Sequence, residues 1–522
     1  MSTSNEVHGT LLGFNAAAAA PVRRTLALCA AITLVAILYQ MRWGTIPDTS
    51  WLITVCERVL AGERLYVDIY ETNPPFTIWL YLPPVAVAGF LGVAPEIMVH
   101  AWTYLATAAG FGLAFLIAGR AGFPENPALL ALAPAFYAML VLFPGIAFSE
   151  REHLGMALFV PLLALLAWRA TPNRPPPGLG LALIAGAFGS VLLLVKPYYA
   201  LMVLLPALFA AWRQRSLRPI LAPEMWLIGI ICTAYLGAVV SLYPEFIGDI
   251  LPVVTDTYMR IRGYWAIVLQ FCVPWAFLMF IAWRLWPNGR VPELSGVAIL
   301  ASIAGMLPLA YQGKGWAYHA YPALLCAILA ILCLMALPAR ARRATHWHGP
   351  MPLFMRPGLP VLIMGLLMAY APFVITQKPS ADVVRAVRGV TVDPTIAQIG
   401  SDLAAGHPLT RMVGGRWAET HVSDWLGTSA LFLSLKARKD GEMVEADRYQ
   451  AMVERYATQK REEFERVRPE VIAYQTKEPF WMDLLESRFG FDRIMADYRP
   501  IAEDDEVLIY LRKDYAPARA VD

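Results

Sequence analysis

A polar stretch between the first two apolar segments decides how the rest of the chain is interpreted. It runs from residue 47 to residue 75 and contains three motifs, Pro47-Asp48-Thr49-Ser50, Gly62-Glu63-Arg64-Leu65-Tyr66 and Tyr70-Glu71-Thr72-Asn73-Pro74-Pro75. Ionisable groups between membrane segments are costly unless they have partners or a function. We therefore interpret this stretch as one half of an active site that faces the outer side of a membrane.

The composition indicates a polytopic membrane protein. Of the 522 residues, 58% are hydrophobic and 16% are charged, whereas a typical soluble domain carries about 25% charged residues. Apolar segments of the length that crosses a bilayer lie near residues 25–41, 76–93, 97–118, 127–145, 153–168, 179–195, 198–212, 222–242, 265–285, 294–311, 318–337 and 358–376. The net charge of +3 is too small to indicate nucleic-acid binding. The six cysteines lie mostly in apolar segments, so no disulfide framework is expected.

Basic residues predict which loops face the cytoplasm. Four short loops contain arginines, namely Arg169/Arg174, Arg213/Arg215/Arg218, Arg284/Arg290 and Arg340/Arg342/Arg343. By the positive-inside rule these loops are cytoplasmic, and the turns between them lie outside. Because Arg23 and Arg24 also belong inside, the number of crossings should be odd, 11 or 13. Twelve full crossings would be an even number. Either one apolar segment between 76 and 145 is re-entrant, which gives 11 crossings, or a thirteenth crossing has not been recognised.

Three parts of the chain follow from this topology. Residues 1–24 are a cytoplasmic lead, residues 25–379 are a transmembrane helical domain with 42–75 as its first outer loop, and residues 380–522 are a soluble α/β domain on the outer side. In the last part, helical patterns over 381–405 and 444–467 alternate with short apolar runs, which predict strands, at 411–413, 471–474 and 506–510. The charge-rich run 460–468 is interpreted as a solvated helix face.

The first loop offers a carboxylate at the start of a predicted amphipathic helix on the membrane surface. Asp48 can cap that helix or act as the general base that deprotonates an acceptor hydroxyl, and the two roles are compatible. Tyr66, Glu71 and Asn73 can bind sugar hydroxyls, with an interfacial aromatic belt and solvated acids as the alternative interpretation. Pro74-Pro75 is a typical helix entry.

Two further outer turns carry ionisable side chains. In the turn Glu150-Arg151-Glu152-His153, the carboxylates and the histidine can hold a divalent cation, and Arg151 can bind a phosphate. A closed ion-pair turn is the alternative. Lys196 lies at a segment end on the predicted outer side, where it either binds phosphate or only snorkels.

The densest polar and aromatic turn is Tyr311-Gln312-Gly313-Lys314-Gly315-Trp316-Ala317-Tyr318-His319. Lys314 and His319 can bind phosphate, and Gln312, Trp316 and Tyr318 can contact sugar, with an ordinary aromatic belt as the alternative. Together, the outer turns collect carboxylates suited to an acceptor and cations suited to a leaving phosphate. A donor attached to a lipid phosphate would explain why such a site needs many membrane segments.

These motifs resemble the GT-C superfamily of membrane glycosyltransferases. The first-loop motifs around Asp48 are similar to those of the branch that contains protein mannosyltransferases and lipid A aminoarabinose transferases, although that branch commonly has Lys where this chain has Asn73. The resemblance covers roughly residues 25–380. It implies a polyprenyl-phosphate sugar as donor, inversion without a covalent intermediate, and a second acidic site at Glu150 or Glu152. It also implies that Lys196 or Lys314 takes the place of the missing lysine.

The sequence therefore predicts a transferase of the bacterial inner membrane that acts on the periplasmic side. Asp48, Glu150 and Glu152 are the candidate catalytic residues, and the acceptor is an envelope glycan, lipid or protein in contact with membrane lipids. Mg²⁺ or Mn²⁺ is a possible cofactor. Two alternatives remain open, a transporter or flippase of a lipid-linked sugar and a non-catalytic envelope assembly protein.

Overall fold

The computed structural model describes residues 19–123, 127–287, 289, 291–337, 359–375 and 379–516. Arg290 and the basic loop Arg340/Arg342/Arg343 lie outside these residues. The chain divides into two compact units, each assembled from three segments. The first unit contains 1–44, 97–238 and 262–375, and the second contains 45–96, 239–261 and 376–522. The second unit thus adds two earlier segments to the predicted C-terminal domain.

Each of the twelve apolar segments forms helix. In chain order the helices are α1 (Ala19–Gln40), α2 (Pro47–Leu60), α3 (Pro75–Leu91), α4 (Pro95–Arg120), α5 (Pro127–Val141), α6 (Arg151–Ala170), α7 (Leu179–Val195), α8 (Ala200–Gln214), α9 (Pro223–Leu242), α10 (Leu251–Asp256), α11 (Tyr264–Ile267), α12 (Val273–Leu285), α13 (Glu293–Gln312), α14 (Ala317–Met335) and α15 (Leu359–Tyr370). Helix α11 continues into α12 as one helical segment, Tyr264–Leu285.

Among the described residues, seven helical segments are long and apolar enough to cross a membrane, α1, α4, α6, α9, α11–α12, α13 and α14. Shorter apolar helices include α3, α5, α7 and α15. The predicted class, a multi-pass helical membrane protein, is confirmed. The odd number of crossings stays a prediction.

Helices α6 and α14 form the centre of the first unit, since most of their side chains are buried. Glycines bring α7 close to α6. A Cβ at Gly155 would lie 2.8 Å from a methyl of Leu192, and one at Gly189 would lie 2.5 Å from a methyl of Leu162. Small residues allow such close contact between membrane helices. This contact brings the start of α6 beside the end of α7.

Ion pairs join the other end of α6 to α9 and the end of α8 to α13. Arg169 at the end of α6 donates to both carboxylate oxygens of Glu224 at the start of α9. Arg213 at the end of α8 donates to Glu293 at the start of α13, at 2.6 Å. These arginines belong to the loops that the positive-inside rule assigns to the cytoplasm.

The second unit contains the predicted α/β region. Its helices are α16 (Ala381–Val390), α17 (Leu409–Met412), α18 (Trp425–Lys439), α19 (Met443–Val467), α20 (Pro479–Phe489) and α21 (Phe491–Met495). Its strands are β1 (Thr395–Ile399), β2 (Arg416–Trp417), β3 (Val471–Gln475), β4 (Tyr498–Glu503) and β5 (Val507–Arg512), in the sheet order β2-β1-β3-β5-β4. β1 is parallel to β2 and β3, and β5 is antiparallel to β3 and β4.

Three local predictions in this region need correction. The run 411–413 is not a strand, because residues 409–412 form the helical turn α17. The helix predicted over 381–405 ends at Val390, since Pro394 disfavours helix in the residue before it and Thr395-Ile396 favour strand. The run 460–468 is not wholly solvated, because Lys460 is only 2% exposed.

Candidate active site

The first unit brings three predicted site residues into direct contact. Lys196, directly after α7, donates to Glu152 Oε1, and its Nζ lies 2.6 Å from His319 Nε2. His319 Nε2 is 3.7 Å from the same Glu152 oxygen. Glu152 is fully buried and His319 is 5% exposed. Since the ammonium of Lys196 can only donate, His319 accepts at Nε2 and carries its proton on Nδ1.

A second cation and a second carboxylate complete this cluster. Arg151 Nη1 is 3.6 Å from Glu150 Oε2, and Arg151 Nε is 3.7 Å from Glu152 Oε2. The guanidinium carbon of Arg151 lies 5.3 Å from the ring centre of Tyr318, and Lys196 Nζ lies 5.5 Å from it. The ring of Tyr318 thus stabilises both cations through its face. We call Glu150, Arg151, Glu152, Lys196, Tyr318 and His319 the charged cluster.

The backbone that precedes α6 directs these side chains. Ser149 has φ +70, in the left-handed region, and it is buried. Residues outside the common backbone regions occur preferentially at functional sites. Glu150 is then extended at the N-cap position, and Glu152 lies in the first helical turn, where the helix dipole favours a negative charge.

His153 does not take part in the cluster. Its Nε2 lies 2.6 Å from the carbonyl oxygen of Leu140, and its Nδ1 accepts the backbone N–H of Ser149 at 3.2 Å. Both ring nitrogens therefore bind backbone, and the interpretation of His153 as a metal ligand is wrong. Within the described ranges, no group of three or more His, Cys, Asp or Glu side chains is arranged to hold a metal ion.

The remaining predicted site residues of the first unit lie at the end of α13 and in the turn that follows it. Gln312 donates from Nε2 to the hydroxyl of Tyr198, and Trp316 is 40% exposed. Gly313 has φ +66, and its carbonyl accepts the N–H of Gly263 at 2.7 Å. Burial above all, and then the charge of Arg262, lower the pKa of Lys314 to about 8.

Arg262 also belongs to this region, although it is not among the predicted site residues. Its guanidinium carbon lies 5.3 Å from the ring centre of Tyr311, and its Nη1 donates to the hydroxyl of Tyr264 at 2.8 Å. A Cβ at Gly313 would lie 2.9 Å from Arg262 Cβ. The absence of a side chain at Gly313 thus makes room for Arg262.

An apolar cavity of about 110 Å³ lies further along the same helices of the first unit. Its lining includes Phe115, Phe136, Val160, Leu163 and Leu332. Its α6 residues follow Glu152 by roughly 12–18 Å at the helical rise of 1.5 Å per residue.

Asp48 belongs to the second unit and lies in the first turn of α2. The N-cap position is occupied by Ile46, which makes no side-chain cap, so the capping interpretation of Asp48 is wrong. Asp48 is half-buried. Burial raises the pKa of Asp402, and the charges of Glu506 and Asp48 add to this effect. Asp402 therefore lies within electrostatic range of Asp48, a proximity that local sequence patterns do not reveal.

Three predicted sugar-binding residues lie together in the second unit, Tyr66, Glu71 and Asn73. They form hydrogen bonds with one another. Glu71 Oε1 accepts the backbone N–H and the side-chain amide of Asn73 at 2.6 and 2.7 Å, and Glu71 Oε2 accepts Trp51 Nε1 at 2.5 Å. Tyr66 donates to the carbonyl of Asn73 at 2.6 Å. These bonds explain why a Glu and an Asn precede Pro74-Pro75. A sugar-binding role for the three stays a prediction.

Comparison with protein-family profiles and with curated protein sequences finds no match. Among solved structures, the chain is similar to the apo crystal structure of ArnT from Cupriavidus metallidurans, with a TM-score of 0.55 and 14% identity over 95% of this chain and 98% of that chain. ArnT is a lipid A aminoarabinose transferase of the GT-C family. At this identity the similarity concerns the fold. The predicted architecture is confirmed, and the chain shares its fold with that structure.

Proposed function

We propose that the protein is a glycosyltransferase that moves a sugar from a polyprenyl-phosphate carrier to an envelope acceptor. The reaction would take place at the periplasmic face of the bacterial inner membrane, with the C-terminal domain on that side. The observation that carries this proposal is the charged cluster, in which Arg151 and His319 are buried and the Lys196 side chain is 12% exposed, at one end of membrane helices. Buried cations of this kind suit a phosphate leaving group.

The chemical roles follow from charge. The bond between the anomeric carbon and the phosphate oxygen breaks, and negative charge grows on the phosphate. Lys196 and Arg151 would stabilise that charge, with Lys314 and His319 as further donors. Glu150 and Glu152 would hold the two cations in place before the donor binds. The acceptor oxygen would attack the anomeric carbon with inversion, and Asp48 would take its proton.

The fold and the apolar cavity support this assignment in different ways. A GT-C fold is compatible with a lipid-linked donor, and the cavity offers an apolar environment for part of a lipid chain. Gln312, Trp316 and Tyr318 remain our candidates for contact with sugar or acceptor. Mg²⁺ or Mn²⁺ stays a possible cofactor, and none of the roles above requires it.

The test is the purified protein in nanodiscs with a panel of undecaprenyl-phosphate sugars and an envelope extract as acceptor. We expect release of undecaprenyl phosphate with at least one donor. Asp48→Asn should lower the rate by about 10²–10⁴-fold, the usual contribution of a general base, while expression and thermal stability stay normal. Unchanged release by Asp48→Asn would remove the proposed base, and no release with any donor would remove the proposed reaction.

The alternative classes make different predictions in the same assay. A transporter or flippase typically holds its ionisable groups near mid-span, whereas the charged cluster lies at the start of α6 and α14 and the end of α7. Neither a flippase nor an assembly protein would release undecaprenyl phosphate. Movement of labelled donor across the bilayer without release would support the flippase.

The pH dependence of release tests the role of Lys314. The pKa of Lys314 is lowered to about 8. Its side chain therefore carries a positive charge below that pH and is neutral above it. We expect release to decline as the pH rises through about 8. Lys314→Arg should keep its rate at pH 9, because arginine stays protonated there. Identical pH profiles for the two proteins would exclude Lys314 from phosphate binding.

A further inference from the structure

One face of α2 contacts the C-terminal segment of the second unit along most of its length. The rings of Trp51 and His407 have centres 5.3 Å apart, Thr54 Oγ1 accepts from Arg411 Nη1 at 3.4 Å, and Arg58 Nη1 donates to the carbonyl of Glu419 at 2.8 Å. Positions 51, 54 and 58 have the spacing of one helix face. The C-terminal segment therefore fixes how α2 is rotated about its axis.

Arg411 makes the strongest of these contacts. It lies on the short helix α17, and its side chain is 10% exposed. Nη1 and Nη2 donate to the two carboxylate oxygens of Glu57 at 2.6 and 3.1 Å. Nε donates to Glu96, which lies in the first turn of α4 and is the last residue of the segment 45–96. One guanidinium thus binds two carboxylates from separate helices.

The geometry of this contact restricts orientation as well as distance. A bidentate guanidinium–carboxylate pair is planar, so it constrains the tilt and rotation of both partners, which a lysine would not. Removal of Arg411, whose side chain is 10% exposed, would leave the carboxylates of Glu57 and Glu96, which are 42% and 28% exposed, close together without a shared cation. Two carboxylates that lose their shared cation repel one another, so the contact between α2 and α17 should loosen.

We infer that Arg411 is a positioning residue that holds α2, and through it Asp48, in the orientation needed for transfer. Glu57 follows Asp48 by nine residues on the same helix, roughly 13 Å along the axis. A rotation of α2 at Glu57 would therefore redirect the carboxylate of Asp48. The C-terminal domain would act on the reaction by holding this helix. Only the link to transfer rests on the proposed function.

Hydrogen exchange of the full-length protein in nanodiscs tests the contact without any substrate. Arg411→Ala should speed exchange of the amides of residues 50–57 by about tenfold, because a partly buried ion pair contributes more than an exposed one and local opening sets the exchange rate. Glu57→Gln, which keeps the size of the side chain, should give a smaller increase and serves if Arg411→Ala does not fold. Unchanged exchange in a folded variant would overturn the inference.

Arg448→Ala is the matched control. Arg448 on α19 also donates bidentately to a carboxylate of an earlier segment of this unit, Asp256 at the end of α10. Its side chain is 45% exposed, and exposed pairs contribute little. We expect exchange of residues 50–57 and release of undecaprenyl phosphate to change less than about threefold in this variant.

Transfer supplies the second readout. With a donor that the wild type uses, Arg411→Ala should lower kcat at least tenfold with little change in KM for the donor, and millimolar guanidinium should restore part of kcat. Arg411→Lys should recover less, since it cannot bind both carboxylate oxygens in one plane. Faster exchange with unchanged kcat would overturn positioning. A wild type inactive with every donor would remove the proposed function, while exchange would still decide the contact.

Discussion

Lys196→Met should reduce the release of undecaprenyl phosphate by about 10²–10³-fold, the usual effect of removing one donor that stabilises a developing negative charge. Lys196 is the residue that touches both Glu152 and His319, so its loss also leaves a buried carboxylate with less positive charge around it. Stability should fall by about 3–5 kcal/mol for that reason. The measurement is the initial rate at saturating donor, together with thermal unfolding of the same sample.

A double variant separates the two effects. In Lys196→Met/Glu152→Gln the buried negative charge is removed with its partner, so stability should return toward that of the wild type. The rate should not return, because the cation that meets the phosphate is still missing. If the double variant regains the rate along with stability, Lys196 serves only to hold Glu152. Lys196→Arg keeps the charge and should retain more of the rate than Lys196→Met.

Lys460→Met should have the largest effect on the stability of the second unit. Lys460 Nζ lies 2.8 Å from Asp424 Oδ1, donates to Glu419, and donates to the carbonyl of Gln398 at 2.7 Å. All of these side chains are buried. Its loss leaves two buried carboxylates without a cation, and we expect a destabilisation of about 3–5 kcal/mol. For a unit of this size that lowers Tm by roughly 6–20 °C.

The pH dependence of the stability lost in Lys460→Met is a further check. Burial raises the pKa of Glu419, so the folded state tolerates its neutral form better than its charged form. The loss of stability in Lys460→Met, relative to the wild type, should become smaller as the pH falls from 8 to 5. Protonation of Glu419 removes its buried negative charge. Lys477→Met is the control, since Lys477 pairs with Glu506 at the surface and its loss should leave Tm nearly unchanged. A constant loss of stability across this pH range would contradict the explanation.

The membrane architecture could be predicted because it depends on length and apolarity. A run of about 20 apolar residues has few alternatives to a helix in a bilayer, and all twelve runs are helical. Short runs have no such constraint. Residues 411–413 were equally compatible with a strand and with one helical turn, and their tertiary contacts decide between them. Helix α17 holds Arg411 in contact with α2. A local sequence pattern does not predict such a tertiary contact.

The charged cluster could be predicted residue by residue but not as an arrangement. Two cations and two carboxylates at the ends of apolar segments indicated a site, yet Glu152 and His319 are far apart in sequence. Their contact depends on how α6, α7 and α14 pack. His153 illustrates the limit, since its sequence neighbours suggested a ligand while its ring nitrogens bind backbone. Arg262 gave no local signal, because its partners Tyr311 and Gly313 belong to a later turn.

The assembly of the second unit from three separate stretches has a consequence for biosynthesis. Residues 45–96 leave the ribosome about 280 residues before residue 376. At 5–20 residues per second, this interval lasts roughly 14–56 s. Helix α2 is then made long before Arg411, so Glu57 lacks this partner until residue 411 has been synthesised. A premature stop codon shortly before residue 376 should therefore give a chain that inserts its helices yet exposes its first loop to protease.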